Sequence, residues 1–233
     1  MVGDGDRRSV NFLGHVFVAS WRRGTEPSVA PYAFGSMIPD FVGMARARVE
    51  AVDHRETADG VALHHATDDV FHGSSVFLGL LEELQRFQAD RGVRRGTAMA
   101  VAHVGSELVL DGWLLDRDAE QGGAVGALYL DALAAGLPLV GHLRFRQGAE
   151  GADRMRALLE RLGAYGLEGH RSVDVIADRL DRALASRPRL RILDEDREAV
   201  RVSLVHCEKL VHERAPEWVA GLREALANQA QGE

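Results

Sequence analysis

The sequence is poor in cysteine, lysine and aromatic residues. Its 233 residues include one cysteine, Cys207, one lysine, Lys209, and only 6% aromatic residues. A single cysteine excludes a disulfide scaffold and a cysteine-based zinc finger. Few aromatic side chains, together with a net charge of -7, argue against a protein that stacks on or coats nucleic acid.

Long apolar runs are missing as well. No stretch reaches about 18 uninterrupted apolar residues, so no transmembrane helix is expected. Residues 7–19 loosely resemble a signal peptide, but Asn11 and His15 interrupt the apolar part. We therefore expect this segment to be the first helix of a cytoplasmic protein without a membrane partner.

Alanine, leucine, arginine and glutamate dominate, and apolar residues recur three and four positions apart. Because no hairpin signal lies between strand-like runs, the pattern predicts an all-α protein, with a single compact helical domain over residues 1–233. The predicted helices cover 9–21 with Ser9 as a cap, 31–45 with a break near Pro39, 54–90 with a split around residues 73–75, 95–116, 119–141, 152–163, 172–186, 194–213 and 215–229.

The ten histidines are the unusual feature of the composition. Two predicted helices carry polar rows with a spacing of four residues, which places each row on one face of its helix. The rows are His64, Asp68 and His72, and His103, Glu107 and Asp111. The second row stands in strongly apolar sequence, and buried carboxylates and imidazoles are costly unless they are paired or bind a metal. The two rows therefore predict a metal site, with a salt-bridged helix pair as the alternative.

Helix geometry limits how such a site is built. Eight residues of helix rise about 12 Å, so His64 and His72 cannot both bind the same ion. Either two ions bind, or one member of each row orients a ligand instead of binding the metal. His15 and Asp40 are two further candidates, whose alternatives are a hydrogen-bonded core histidine and a helix cap. A mixture of imidazole and carboxylate suits Mn, Fe or Zn better than Mg or Ca.

Five segments resemble the acyl-carrier-protein phosphodiesterase family, in order and spacing, from residue 11 to about residue 220. They are Asn11–His15 (family N-F-L-x-H), Gly35–Gly43 (G-N-x-x-A-D-F-V), Gly60–Asp68 (G-I-x-x-H-R-x-I-D), Glu107–Asp111 (D-V-x-x-D) and Ala185–Leu190 (A-S-R-R-P-R-L). The resemblance implies an HD-like helical bundle, distantly related to the metal-dependent HD phosphohydrolases. It also implies a manganese-type ion and removal of 4'-phosphopantetheine from holo-acyl carrier protein. The positions that match family site residues are His15, Asp40, His64, Asp68, Glu107 and Asp111.

The chain departs from the family pattern at four positions. His72 stands where the family usually has aspartate, Glu107 replaces an aspartate, and Gly112 replaces a histidine. His103 has no family counterpart. Because two of these changes add nitrogen ligands, they favour a metal or a reaction that differs from that of the family.

The leading hypothesis is a metal-dependent phosphodiesterase that acts on acyl carrier protein or on a small phosphodiester. Its expected catalytic residues are Asp40, Glu107 and His103. Its expected metal ligands are His15, Asp40, His64, Asp68, His72, Glu107 and Asp111. Mn is the ion that the resemblance implies, and Fe or Zn also fit the donors. The alternatives are an iron-dependent oxygenase or other redirected metalloenzyme on the same scaffold, supported by His72 and His103, and a non-catalytic helical protein.

Overall fold

The computed structural model describes residues 12–231, and these fold almost entirely into nine α-helices. The prediction of an all-α protein is confirmed. The predicted cap Ser9, and Asn11 of the first motif, lie outside the described residues.

The described chain divides into two compact units that alternate along the sequence. Unit 1 comprises residues 12–65 and 123–166, and unit 2 comprises residues 66–122 and 167–231. Helix α3 (Arg55–Gly73) begins in unit 1 and ends in unit 2. The other helices of unit 1 are α1 (Phe12–Arg23), α2 (Ala30–Met44), α6 (Ala124–Leu139) and α7 (Ala149–Tyr165). Those of unit 2 are α4 (Ser75–Ala89), α5 (Arg95–Glu120), α8 (Val173–Leu184) and α9 (Arg197–Gln231). The single domain stays a prediction.

The predicted split after residue 73 is confirmed. Ser74 is the N-cap of α4, and its hydroxyl oxygen accepts a hydrogen bond from the backbone N–H of Phe77 at 3.2 Å. Such a cap satisfies one of the four backbone donors that a helix leaves open at its start.

Two predicted helix breaks are wrong. Helix α2 runs unbroken through Pro39, and α9 runs unbroken through residue 214, where one helix was expected to end and the next to begin. A proline inside a helix costs about 3 kcal/mol because it removes a hydrogen bond and crowds the preceding turn. Fully burying one large apolar side chain gives about 1.5–3 kcal/mol. Phe34 and Phe41 are both fully buried on α2, so packing on either side of Pro39 offsets its cost.

A small two-stranded sheet in unit 1 was not expected. Strand β1 (Val49–Val52) pairs antiparallel with β2 (Leu143–Phe145). The sequence carries no hairpin signal for this pair because its two strands are separated by helices α3 to α6.

Two described helices are long and apolar enough to cross a membrane, α5 and the segment Ala124–His142 that contains α6. The core helix of a globular protein has the same length and composition, and most of the apolar part of α5 is buried inside the protein.

Helices α2 and α3 cross at two glycines in unit 1. A Cβ on Gly35 would lie 2.1 Å from the carbonyl oxygen of Thr57, and a Cβ on Gly60 would lie 2.1 Å from the carbonyl oxygen of Tyr32. Backbone therefore touches backbone at this crossing, and no side chain larger than hydrogen fits there.

Gly60→Ala is expected to lower the free energy of unfolding by about 2 kcal/mol or more, because the helices must move apart. Gly79→Ala on α4 is the matched control, since a Cβ there meets no described atom within 4 Å beyond its chain neighbours and the adjacent backbone of its own helix. The control is expected to stabilise the protein by about 0.5–1 kcal/mol. Urea unfolding measures the free energy of unfolding of both variants. Equal changes in the two variants would contradict the close contact between α2 and α3 at Gly60.

Candidate metal sites

Three buried residues from three helices meet in unit 1. His15 lies on α1, Asp40 on α2 and His64 on α3, and each is at most 3% exposed. Nε2 of His15 is 3.8 Å from Oδ2 of Asp40. The rings of His15 and His64 stack with centroids 3.9 Å apart. The structure thus brings together three of the residues that the sequence analysis selected.

The α2–α3 crossing orients one of these rings. Nδ1 of His64 lies 2.9 Å from the backbone carbonyl oxygen of Ser36, the residue after Gly35. A carbonyl oxygen only accepts, so Nδ1 carries the proton and donates it. The lone pair of the ring is therefore on Nε2, which is how a metal-binding histidine is usually held.

A second group forms in unit 2. His72 lies at the end of α3, and His103 and Glu107 lie one turn apart on α5. Nε2 of His103 is 3.1 Å from Oε1 of Glu107, and Nε2 of His72 is 3.8 Å from the same oxygen. One potential ligand atom from each residue lies within 4.8 Å of the others. The carboxylate of Glu107 is 1% exposed, whereas the side chain of His103 is 38% exposed.

Asp68 lies in unit 2, one turn after His64 on α3. Its Oδ1 is 3.7 Å from Nε2 of His72, and its side chain is about a quarter exposed. It therefore neighbours the unit 2 group at His72. His65 and Asp69, the adjacent polar residues of α3, are both exposed.

Asp111 lies one turn beyond Glu107 on α5 and is fully buried. Its Oδ2 is 4.0 Å from Nδ1 of His170, which belongs to a short 3-10 helix, Glu168–His170. Nδ1 of His170 is also 3.2 Å from the guanidinium of Arg179 on α8. Burial, together with the charge of Arg179, lowers the pKa of His170 to about 3, so this ring is neutral at physiological pH.

His170 was not among the expected site residues. It lies outside the helix predicted over 172–186, and it reaches Asp111 only through tertiary packing. A Cβ on Gly112 would lie 2.5 Å from the carbonyl oxygen of His170, so the glycine next to Asp111 is what admits this segment. A glycine inside an apolar helix was the available signal for such a close approach.

The donor chemistry of both groups fits a divalent transition metal. Each offers two imidazoles and one carboxylate, the mixture that Zn, Fe and Mn accept. Metal bonds of about 2.0–2.2 Å place neighbouring ligand atoms about 3–3.5 Å apart. In the unit 2 group, the distances of 3.1 and 3.8 Å between ligand atoms lie close to that range, so small side-chain movements would close this group around an ion. Cys207 is 2% exposed in α9 and belongs to neither group.

Comparison with protein-family models, with curated proteins and with solved structures finds no match for this chain. The relationship to acyl-carrier-protein phosphodiesterases therefore stays a prediction from the motifs.

Glu107→Gln is expected to reduce the amount of Mn²⁺ or Zn²⁺ that the chelator-treated protein takes up, because the unit 2 group loses its only carboxylate among His72, His103 and Glu107. Glu82→Gln on α4 is the control, since Glu82 is exposed and pairs with Arg86. Elemental analysis after gel filtration measures the molar ratio. Equal ratios in the two variants and the wild type would contradict a metal site at Glu107.

Proposed function

We propose that the chain is a metal-dependent phosphodiester hydrolase and that His72, His103 and Glu107 hold a divalent ion in unit 2. The observation that carries the proposal is the approach of two imidazoles to one buried carboxylate, with ligand atoms within 4.8 Å of one another. Mn is the first ion to test because the motif resemblance implies it, and Fe and Zn fit the same donors.

The electrostatics of Glu107 support a cation at this position. A carboxylate that is fully removed from water is costly unless a positive charge or hydrogen bonds compensate it. Its neighbours His72 and His103 are uncharged unless protonated. A divalent ion bound here would add positive charge beside this carboxylate without protonating either ring.

The roles that we propose for Glu107 and His103 follow from their positions and their exposure. A divalent ion, when bound, acts as a Lewis acid on a phosphoryl oxygen and lowers the pKa of water. Nε2 of His103 lies 3.1 Å from Oε1 of Glu107, so the two atoms that would bind the ion already lie side by side. His103 is the most exposed of the three, so it is the member that a phosphodiester from solvent reaches first.

We propose the same ligand role for His15, Asp40 and His64 in unit 1, because their donors match those of unit 2. Asp68 and Asp111 are proposed as carboxylates that support the unit 2 group. Asp68 approaches His72, and Asp111 continues the polar row of α5.

The substrate class in this proposal comes from the motif resemblance. Holo-acyl carrier protein is the first substrate to test, and hydrolysis of its phosphodiester would release 4'-phosphopantetheine. A small phosphodiester such as bis(p-nitrophenyl) phosphate tests the chemistry without the carrier protein.

The wild-type protein loaded with Mn²⁺ is expected to hydrolyse at least one of these two substrates. Asp40→Asn, His64→Ala and Glu107→Gln are each expected to lower the rate by about 100-fold or more, because each removes a metal ligand. Glu82→Gln is expected to retain the wild-type rate. Released nitrophenolate is read by absorbance, and released 4'-phosphopantetheine by mass spectrometry.

Tight metal binding without hydrolysis of either substrate would overturn the hydrolase proposal. Absence of both metal binding and hydrolysis would favour the non-catalytic alternative, in which the polar rows are structural.

A second candidate function is an iron-dependent oxygenase, and one observation favours it. Two histidines and one carboxylate with open coordination positions are the ligand set of non-haem Fe(II) oxygenases. His72 and His103 supply the two nitrogens, and both depart from the motif pattern of the phosphodiesterase family. Anaerobic Fe(II) loading followed by exposure to air tests it, with oxygen uptake and the visible spectrum as readouts. No change on exposure would exclude oxygen activation by the iron protein alone.

A further inference from the structure

Phe77 contacts both imidazoles of the unit 2 group. Its ring centroid lies 5.1 Å from that of His72 and 5.3 Å from that of His103, with interplanar angles of 63° and 85°. The two imidazole centroids are 5.0 Å apart. The three rings therefore form a nearly equilateral triangle, and Phe77 meets each imidazole edge to face.

Phe77 is itself held firmly. It is 1% exposed, and its ring packs against Phe71 at 4.9 Å and Trp218 at 5.6 Å. Its backbone N–H donates to the Ser74 cap at the start of α4. Because Phe71 and Trp218 pack against the ring and the cap fixes the backbone, Phe77 presents a rigid surface to the two histidines.

A rigid surface against both rings matters for metal binding. Each imidazole can turn about its Cβ–Cγ bond, and an ion binds well only when both nitrogens aim at one point. Restricting the two rings before binding lowers the ordering cost, and an apolar neighbour limits the access of water to that side of the ligands.

We propose that Phe77 is a positioning residue that fixes the angle between the His72 and His103 rings and thereby sets the affinity and coordination geometry of the metal bound with Glu107. This inference rests on the proposed metal-binding function. It adds a residue that offers no metal ligand of its own and that neither the polar rows nor the motifs contain.

The test compares two phenylalanines of the same helix. Phe87 also lies on α4 and also stacks on a histidine, His206 at 4.2 Å, but outside the metal group. Phe77→Leu is expected to weaken Co²⁺ and Mn²⁺ binding by about tenfold or more and to change the visible spectrum of the Co²⁺ protein. Phe87→Leu is expected to change neither property. Chelator competition measures affinity, and the Co²⁺ absorption bands report coordination geometry.

Two further variants separate positioning from stability. Phe77→Tyr keeps the ring and is expected to retain wild-type affinity and spectrum. Phe77→Met fills most of the volume without a ring, so it replaces Phe77→Leu if the latter fails to fold, and it is expected to lose affinity. Melting temperatures of the metal-free proteins identify the variants that are folded at the temperature of the binding measurement.

The outcomes distinguish this inference from the proposed function. Wild-type affinity and spectrum in folded Phe77→Leu or Phe77→Met would overturn the positioning role alone. Weakened binding in these variants without hydrolysis by the wild type would support the positioning role while the hydrolase proposal fails. A wild-type protein that binds neither ion would overturn both.

Discussion

The burial of two carboxylates on α5 is the constraint on which the organisation of unit 2 depends. Glu107 and Asp111 are fully removed from water inside an apolar helix, and each would cost several kcal/mol there without compensation. The fold places His72 and His103 beside Glu107, and it places the neutral His170, whose Nδ1 lies against the guanidinium of Arg179, beside Asp111. The end of α3 and the 3-10 helix before α8 must therefore approach α5 at these two turns, so the polar row helps to select the packing of the unit.

Unit 1 reaches a similar arrangement by a different physical route. Gly35 and Gly60 remove two side chains at the α2–α3 crossing, which lets the backbones touch. That contact brings Ser36 close enough for its carbonyl oxygen to accept from His64, and the hydrogen bond fixes the tautomer of the ring. The orientation of the His64 ring therefore depends on a backbone contact. That contact lies one residue from Ser36 on α2 and one turn from His64 on α3.

Helical periodicity was sufficient to predict the rows, because residues four apart share a face whatever the tertiary structure. The rise of the helix also predicted that His64 and His72 do not bind the same ion. The structure places His64 in the unit 1 group and His72 in the unit 2 group. Contacts between residues that are distant in the sequence could not be predicted from helical periodicity. His170 lies outside the predicted helices and meets Asp111 only because Gly112 admits its segment. Pro39 carries a strong local signal for a helix break, yet buried side chains on both sides keep α2 continuous.

The identity of residue 72 changes the electrostatics expected of the unit 2 group. With an aspartate at this position, as in the family that the motifs resemble, the group would hold two carboxylates and one imidazole. With His72 it holds one carboxylate and two imidazoles, so a divalent ion bound there as proposed would keep one more unit of positive charge. A less neutralised ion would attract an anionic phosphodiester more strongly, and an added nitrogen donor would shift the metal preference from Mg and Ca towards Fe and Zn. In the proposed site, three protein donors would also leave at least one coordination position for water or substrate, as catalytic sites require and structural zinc sites do not.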